Sequence, residues 1–315
     1  MSAVPPVKVS VVVTLTAAEE GTGGVIGTLA SLVAQDYPLD QVEILISQYG
    51  LDPAAEAEIK HRFPNAEISG APLDGYYALK NHGFETARGE IIALADADCV
   101  YSPQWLRELV HAIDAGADVA AGLTHLEGGS LLHRLCGFYD QHQALLRTSA
   151  RTRRFVSNNV AFRAALVKDC GYDPRFDRTG GCVQLAEKLL RRGAELRFTP
   201  EQAGLHHYYG LARHTWKQAI CSGYDFFHSR EVDPEMPLAR LTRLPVLGPP
   251  LLSGIFVAAD ALNIAQNRRV LGIRWYELPV FLAFSLIVRP IEMVGMLWFR
   301  FHPASAARFV ARNFA

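Results

Sequence analysis

RGEIIALADADCVYSPQW, residues 88–105, is the stretch from which the rest of the chain can be read. Residues 91–95 form an apolar run of strand length, as expected of a buried central strand. Asp96 and Asp98 follow at once, and alternation along an extended chain would point both the same way, with Ala97 opposite. Ser102-Pro103 then has the form of a helix start, with serine as N-cap and proline at the first helical position. Strand, acidic pair, turn and helix is how an open α/β sheet offers ligand-binding groups beyond the carboxyl ends of its strands. Two hard carboxylate ligands there suit Mg²⁺ or Mn²⁺ carrying a phosphorylated ligand. An acidic pair that only caps a loop is the plainer alternative.

Outward from that stretch, strands are predicted at 7–15, 42–47, 66–69 and 118–124, and helices at 53–62, 75–87 and 103–115. Val25, Ile26, Leu29, Leu32 and Val33 share one face of a further helix. This alternation predicts an α/β domain whose mostly parallel sheet is flanked by helices. GTGGVIG at 21–27 raises a dinucleotide-binding alternative, but the spacing fails. Ile26 stands where a third glycine belongs, and Ser47-Gln48 ends the second strand where an acidic ribose partner should be. With a net charge of -1 the chain has no bulk attraction for nucleic acid, so none is expected as a partner. Five cysteines, an odd number without C-x-x-C spacing, argue against a disulfide framework or structural zinc and fit a reducing compartment. Residues 1–13 lack the features of a signal peptide, so none is expected there.

SVVV, TLASLVAQDYP and LKNHGFETARGEIIALADADCVYSPQWLRELV, followed by NNVAFRAALVKDCGYD, together resemble the family 2 glycosyltransferases of the GT-A fold over roughly residues 7–209. The order and spacing of the pieces carry the resemblance, with Asp96-Ala97-Asp98 at the family's D-x-D. It implies transfer of a sugar from a nucleotide-diphosphate donor to an acceptor hydroxyl, with Mn²⁺ or Mg²⁺ neutralising the leaving diphosphate. It further implies that Asp98 is a metal ligand and that Asp96 contacts the ribose or the donor sugar. Lys80 and Asn81 match a site where a cation and an amide meet donor oxygens, with a solvated helix face as the alternative. One of His206 and His207, taken here as His206, stands where the family often has a further metal-binding histidine.

Two departures qualify this picture. Where the family commonly has D-D-G-S, this chain has Gln48-Tyr49-Gly50-Leu51, so Gln48 is the candidate for a hydrogen bond to the base and Tyr49 for stacking on it. The family's G-E-D, whose aspartate deprotonates the acceptor, falls on Gly180-Gly181-Cys182. Asp177 in the loop FDRTGG is the favoured substitute base. Glu187 is the other candidate, expected on the solvated face of its helix. An inverting enzyme with a displaced base, a retaining enzyme and a catalytically inactive donor-binding or scaffold homologue all stay open.

A change in composition near residue 239 divides the chain into a transferase domain, 1–238, and an apolar helical region, 239–315. Residues 244–259 and 279–288 are strongly apolar, yet neither run reaches about 20 residues without proline, glycine or charge. Arg289 and Glu292 are spaced to pair along a helix. Arginines surround both runs rather than gathering on one side, which favours helices lying in the membrane interface over a spanning hairpin or a buried subdomain. The expected setting is the cytoplasmic face of a membrane, with a lipid-linked or polysaccharide acceptor. Trp216, Lys217 and Gln218 are candidate acceptor contacts, with ordinary packing as the alternative.

Overall fold

Val9–Leu15 (β1) is mostly valine and buried along its whole length, the composition of a strand covered on both faces. The computed structural model describes residues 7–16, 22–73, 75–140, 151–176, 180–207 and 211–314. In it β1 runs parallel to both Val42–Gln48 (β2) and Ile91–Asp96 (β4), and Ala66–Gly70 (β3) extends the sheet beyond β2. Asn159–Arg163 (β7) is antiparallel to β4 and to Val119–Leu126 (β6). Leu196–His206 (β8) runs parallel to β6 and pairs antiparallel with Cys99–Tyr101 (β5). The strand order is β3-β2-β1-β4-β7-β6-β8-β5, a mixed, mostly parallel sheet.

Helices Thr22–Val33 (α1), Pro53–Arg62 (α2), Tyr76–Thr86 (α3) and Trp105–Asp114 (α4) follow strands as the alternation requires. Asp52 caps α2 by accepting from the Ala54 and Ala55 amides, with Pro53 at the first helical position. The start of α4 differs from expectation. Ser102 and Pro103 lie in a turn, closed by the Trp105 amide on the Ser102 carbonyl, and the helix begins at Trp105. The Pro103 carbonyl accepts instead from the Asp36 amide, so it closes no helical turn.

The chain divides into two compact units, Met1–Glu127 with Ser149–His207, and Gly128–Thr148 with Tyr208–Ala315. The second is larger than the change in composition near residue 239 implies. It contains Leu131–Asp140 (α5), Leu211–Val232 (α8), Ala239–Thr242 (α9), Gly248–Asn267 (α10), Leu278–Phe301 (α11) and Pro303–Phe314 (α12), whereas Ala164–Cys170 (α6) and Gly181–Arg191 (α7) belong to the first.

Within the second unit α11 runs through Pro290, and Pro249 and Pro279 sit in first turns where their missing amide is harmless. Arg289 and Glu292 pair at 2.6 Å, and Arg289 also reaches across to Asp260 of α10 at 2.7 and 2.8 Å. Ser285 donates to the same Asp260 carboxylate. Asn263 and Asn267 are buried on α10 as well. The outward residues are apolar: Leu251, Ile255 and Leu262 on α10, and Val280, Leu286, Ile287 and Val294 on α11. The helix pair therefore pairs its charges inside, among apolar side chains such as Leu252, Phe281 and Met296, and turns mostly apolar residues outward. Both helices are long and apolar enough to cross a membrane by length and composition.

Helices α8 and α11 meet through two glycines. A Cβ on Gly223 would lie 1.9 Å from the Glu292 carbonyl oxygen, and one on Gly295 would lie 2.0 Å from that of Ile220. Such backbone contact requires small residues. Gly223→Leu and Gly295→Leu are each expected to cost roughly 3 kcal/mol or more through overpacking. Thermal unfolding in detergent measures it, and an unchanged midpoint would contradict the packing.

Candidate active site

The β4 ladder ends at Asp96, and the chain turns at Ala97-Asp98 before β5 begins. Alternation therefore does not continue through the acidic pair, and the two carboxylates meet different partners. Asp96 is buried and accepts from the Lys80 ammonium at 2.6 Å and the Tyr76 hydroxyl at 2.7 Å. Lys80 is fully buried and also reaches Thr14 Oγ1 at 3.0 Å and the Ser157 carbonyl at 3.3 Å. Burial holds the Tyr76 pKa well above the usual phenol value, with the Asp96 charge adding to the effect, so the hydroxyl keeps its proton and donates. Lys80 is thus neither on a solvated face nor turned to the surface; its charge is spent on Asp96.

Asp98 is the more open carboxylate, and its Oδ2 lies 3.2 Å from His206 Nε2. Burial would raise the Asp98 pKa, but the hydrogen bond and charge of His206 outweigh it and hold the carboxyl below its usual value. Strand pairing creates this meeting: in the β5–β8 ladder Cys99 faces His206, and the His207 amide donates to the Asp98 carbonyl. The β6–β8 ladder shifts register after Gly122 and resumes at Leu123 opposite Ala203, which carries β8 on to His206. His207 turns instead to Glu127.

Asp98, Cys99 and His206 offer ligand atoms within 4.8 Å of one another. The Cys99 thiol is a poor member of that set, because burial, reinforced by the Asp98 and Asp96 charges, pushes its pKa far up and keeps it protonated. A carboxylate and an imidazole remain, donors that fit a divalent ion with positions left for phosphate oxygens.

The turn is braced from several sides. The Thr28 hydroxyl lies 2.8 Å from the Ala97 carbonyl and 2.7 Å from that of Cys99. A Cβ on Gly24 would come within 3.1 Å of the Ala97 oxygen, so the glycine-rich start of α1 serves close approach to the acidic turn. Tyr101 accepts from the Asp96 amide and donates to the Asn158 carbonyl. Neither Thr28 nor Tyr101 stands out in the sequence, because the packing of α1 brings the first here and the pairing of β5 the second.

The remaining predicted residues fall as follows. Asn81 brackets the Tyr172 backbone, donating to its carbonyl at 2.9 Å and accepting from its amide at 2.8 Å. Gln48 Oε1 accepts from the Leu51 amide, and its NH₂ has no partner among the described residues. Asp177 lies outside the described residues. Glu187, expected to be solvated, is instead buried and paired with Arg153 at 3.2 Å, because its face of α7 packs inward. At the G-E-D position a Cβ on Gly181 would lie 2.5 Å from the Tyr77 ring, which fills the space a larger residue would need. The Tyr77 hydroxyl sits 3.5 Å from Cys182 Sγ.

The mixed sheet, with a carboxylate turn beyond its central strand and a histidine facing that turn, has the architecture of the GT-A fold. The family model "Glycosyl transferase family 2" matches residues 23–135. The glycosyltransferase AglE of Haloferax volcanii is 29% identical over 189 residues, 56% of this chain and 60% of that protein. Polyprenol monophosphomannose synthase of Mycolicibacterium smegmatis is 29% identical over 100 residues, 32% of this chain and 36% of that one. The chain thus spans less than two thirds of the length of either relative. Among solved structures, the mannosyltransferase PcManGT of Pyrobaculum calidifontis, in complex with GDP-Man and Mn²⁺, superposes with a TM-score of 0.59 at 17% identity, covering 97% of this chain and 86% of that one. Residues 23–135 thus match the family 2 glycosyltransferase model, and the chain has the GT-A fold of these solved structures.

Proposed function

We propose that the chain is a glycosyltransferase that moves a sugar from a nucleotide-diphosphate donor to a lipid-linked or polysaccharide acceptor at a membrane. The observation that carries this reading is the meeting of Asp98 and His206 at the end of the central strands. These two residues would hold the divalent ion, Mn²⁺ or Mg²⁺. When bound, that ion supplies Lewis-acid stabilisation of the leaving diphosphate. Asp98, held in its ionised form by His206, needs no deprotonation to serve. Tyr76 and Lys80, the latter itself held by Thr14, anchor Asp96 and so keep the turn from shifting when a charged ligand arrives. Gln48 is left to meet the base or ribose through its NH₂. Asp177 stays the proposed acceptor base, and the D-x-D reading of Asp96 and Asp98 belongs to the same proposal. The helix pair, with its charges paired inside and mostly apolar residues outward, supports insertion of α10 and α11 into the bilayer as a hairpin, with the transferase domain on the cytoplasmic face and cell-surface glycan assembly as its task.

The test is transfer and donor hydrolysis across a panel of nucleotide sugars with Mn²⁺ in lipid extract. Turnover from at least one donor is expected, and metal-dependent donor binding without turnover would leave a non-catalytic homologue, the reading that Gly181-Cys182 favours. Mn²⁺ affinity, read by calorimetry, should fall as the pH is lowered, because a proton on His206 competes with the metal for the same nitrogen. In His206→Ala that pH dependence should flatten, and an unaltered profile would remove His206 from the ligand set.

A further inference from the structure

The second unit holds a pocket of about 310 Å³ lined by Arg230, Glu231, Thr242, Arg243 and Arg300, among others. Three guanidiniums face one carboxylate, so the pocket favours an anion. Arg230 is buried and fixed: its Nε donates to the Pro237 carbonyl at 2.9 Å, and it stacks on the Phe226 ring at 3.4 Å. The guanidiniums of Arg243 and Arg300 are exposed and have no acidic partner among the described residues. Thr242 commits its hydroxyl hydrogen to the Ala239 carbonyl, which leaves the arginines to select the ligand.

The position of the pocket narrows what the anion is. Leu252 clusters with Met296 and Phe299, and Asp260 meets Arg289, so α10 and α11 run antiparallel and the start of one lies beside the end of the other. Arg243 precedes α10 by a few residues, and Arg300 stands in the last turn of α11. Next to them in the chain, Leu244, Val246, Leu247 and Phe301 are exposed. The 20 residues of α10 span about 30 Å at 1.5 Å per residue, the thickness of the hydrocarbon layer. A hairpin of that length puts the arginine pocket at one edge of the layer, where phosphate is the abundant anion and arginine forks match its oxygens.

We propose that the pocket among Arg230, Arg243 and Arg300 binds the phosphate of an anionic lipid headgroup. The inference rests on the membrane-inserted reading of α10 and α11 and extends it to a headgroup site built entirely from the second unit. Arg230 supplies a fixed floor, and Arg243 and Arg300 close on the phosphate from the exposed rim.

The test uses the full chain in mild detergent, titrated by calorimetry with short-chain phosphatidic acid, short-chain phosphatidylcholine and inorganic phosphate. Phosphatidic acid should bind well above the other two. The double variant Arg243→Gln/Arg300→Gln should weaken it roughly 25-fold, about fivefold for each basic residue at an anionic surface. Arg243→Lys/Arg300→Lys, which keeps the charge without the fork, should fall between. Both positions are exposed, so thermal unfolding of the variants should match the parent protein. Phosphatidic acid binding no better than phosphatidylcholine, or unchanged in the glutamine variant, would overturn the site. Inorganic phosphate binding as tightly as phosphatidic acid would overturn the lipid as its source. A separate arm floats the protein with uncharged phosphatidylcholine vesicles. Failure to float overturns membrane insertion and the lipid site with it, whereas flotation without headgroup discrimination overturns the pocket alone.

Discussion

Asp98→Ala should lower transfer by on the order of a thousandfold, with the protein still folded. Removing one ligand of a Lewis acid that neutralises a leaving diphosphate costs several kcal/mol of transition-state stabilisation. The side chain is partly open and, among the described residues, meets His206 and Cys99, so its loss opens no core cavity. Steady-state transfer with Mn²⁺, together with Mn²⁺ titration, checks the expectation. Both should fail together, and Asp98→Asn, which keeps the size and removes the charge, should behave nearly as alanine does. Full turnover in Asp98→Ala would mean that the carboxylate turn beyond β4 is not the metal site. His206→Ala should be milder, because a water can replace a neutral imidazole more easily than a carboxylate.

Lys80→Met should be the most destabilising single change in the first unit. The ion pair with Asp96 is buried on both sides, at 0% and 7% side-chain exposure, and removing one partner leaves the other charge stranded in low dielectric. Breaking such a pair costs about 3–5 kcal/mol, which corresponds to a fall in melting temperature of roughly 10 °C. By contrast Lys60, paired with Glu56 on the exposed face of α2, should lose less than about 0.5 kcal/mol on truncation. The decisive variant is Lys80→Met/Asp96→Asn. With no charge left unpaired it should recover much of the lost stability, while Tyr76 still donates to the amide oxygen. Thermal unfolding of both variants tests this, and equal melting temperatures for the single and double variants would show that the stranded Asp96 charge is not the source of the loss.

Residues 91–95 were legible as a central strand because an apolar run between polar flanks reports its own burial. The strand–helix alternation through residue 124 and the placing of the acidic pair beyond a strand were legible for the same reason, since period and propensity are local properties. The Arg289–Glu292 pair was legible too, because one helical turn brings residues three apart together. What stayed hidden depends on register between distant segments. β5 has only three residues, and its pairing with β8, more than a hundred positions away, is what sets Cys99 opposite His206 and brings that imidazole to Asp98. The turn at Ala97-Asp98 breaks the alternation that the sequence implied. It thereby gives Asp96 to Lys80 and leaves Asp98 open, a choice made by the packing of α1 and α3 and not by the acidic motif itself. Glu187 reads as solvated yet is buried against Arg153, and Asp260, which the sequence does not single out, is buried against Arg289. A desolvated charge is stable only beside a partner, and only the tertiary structure decides which partner arrives.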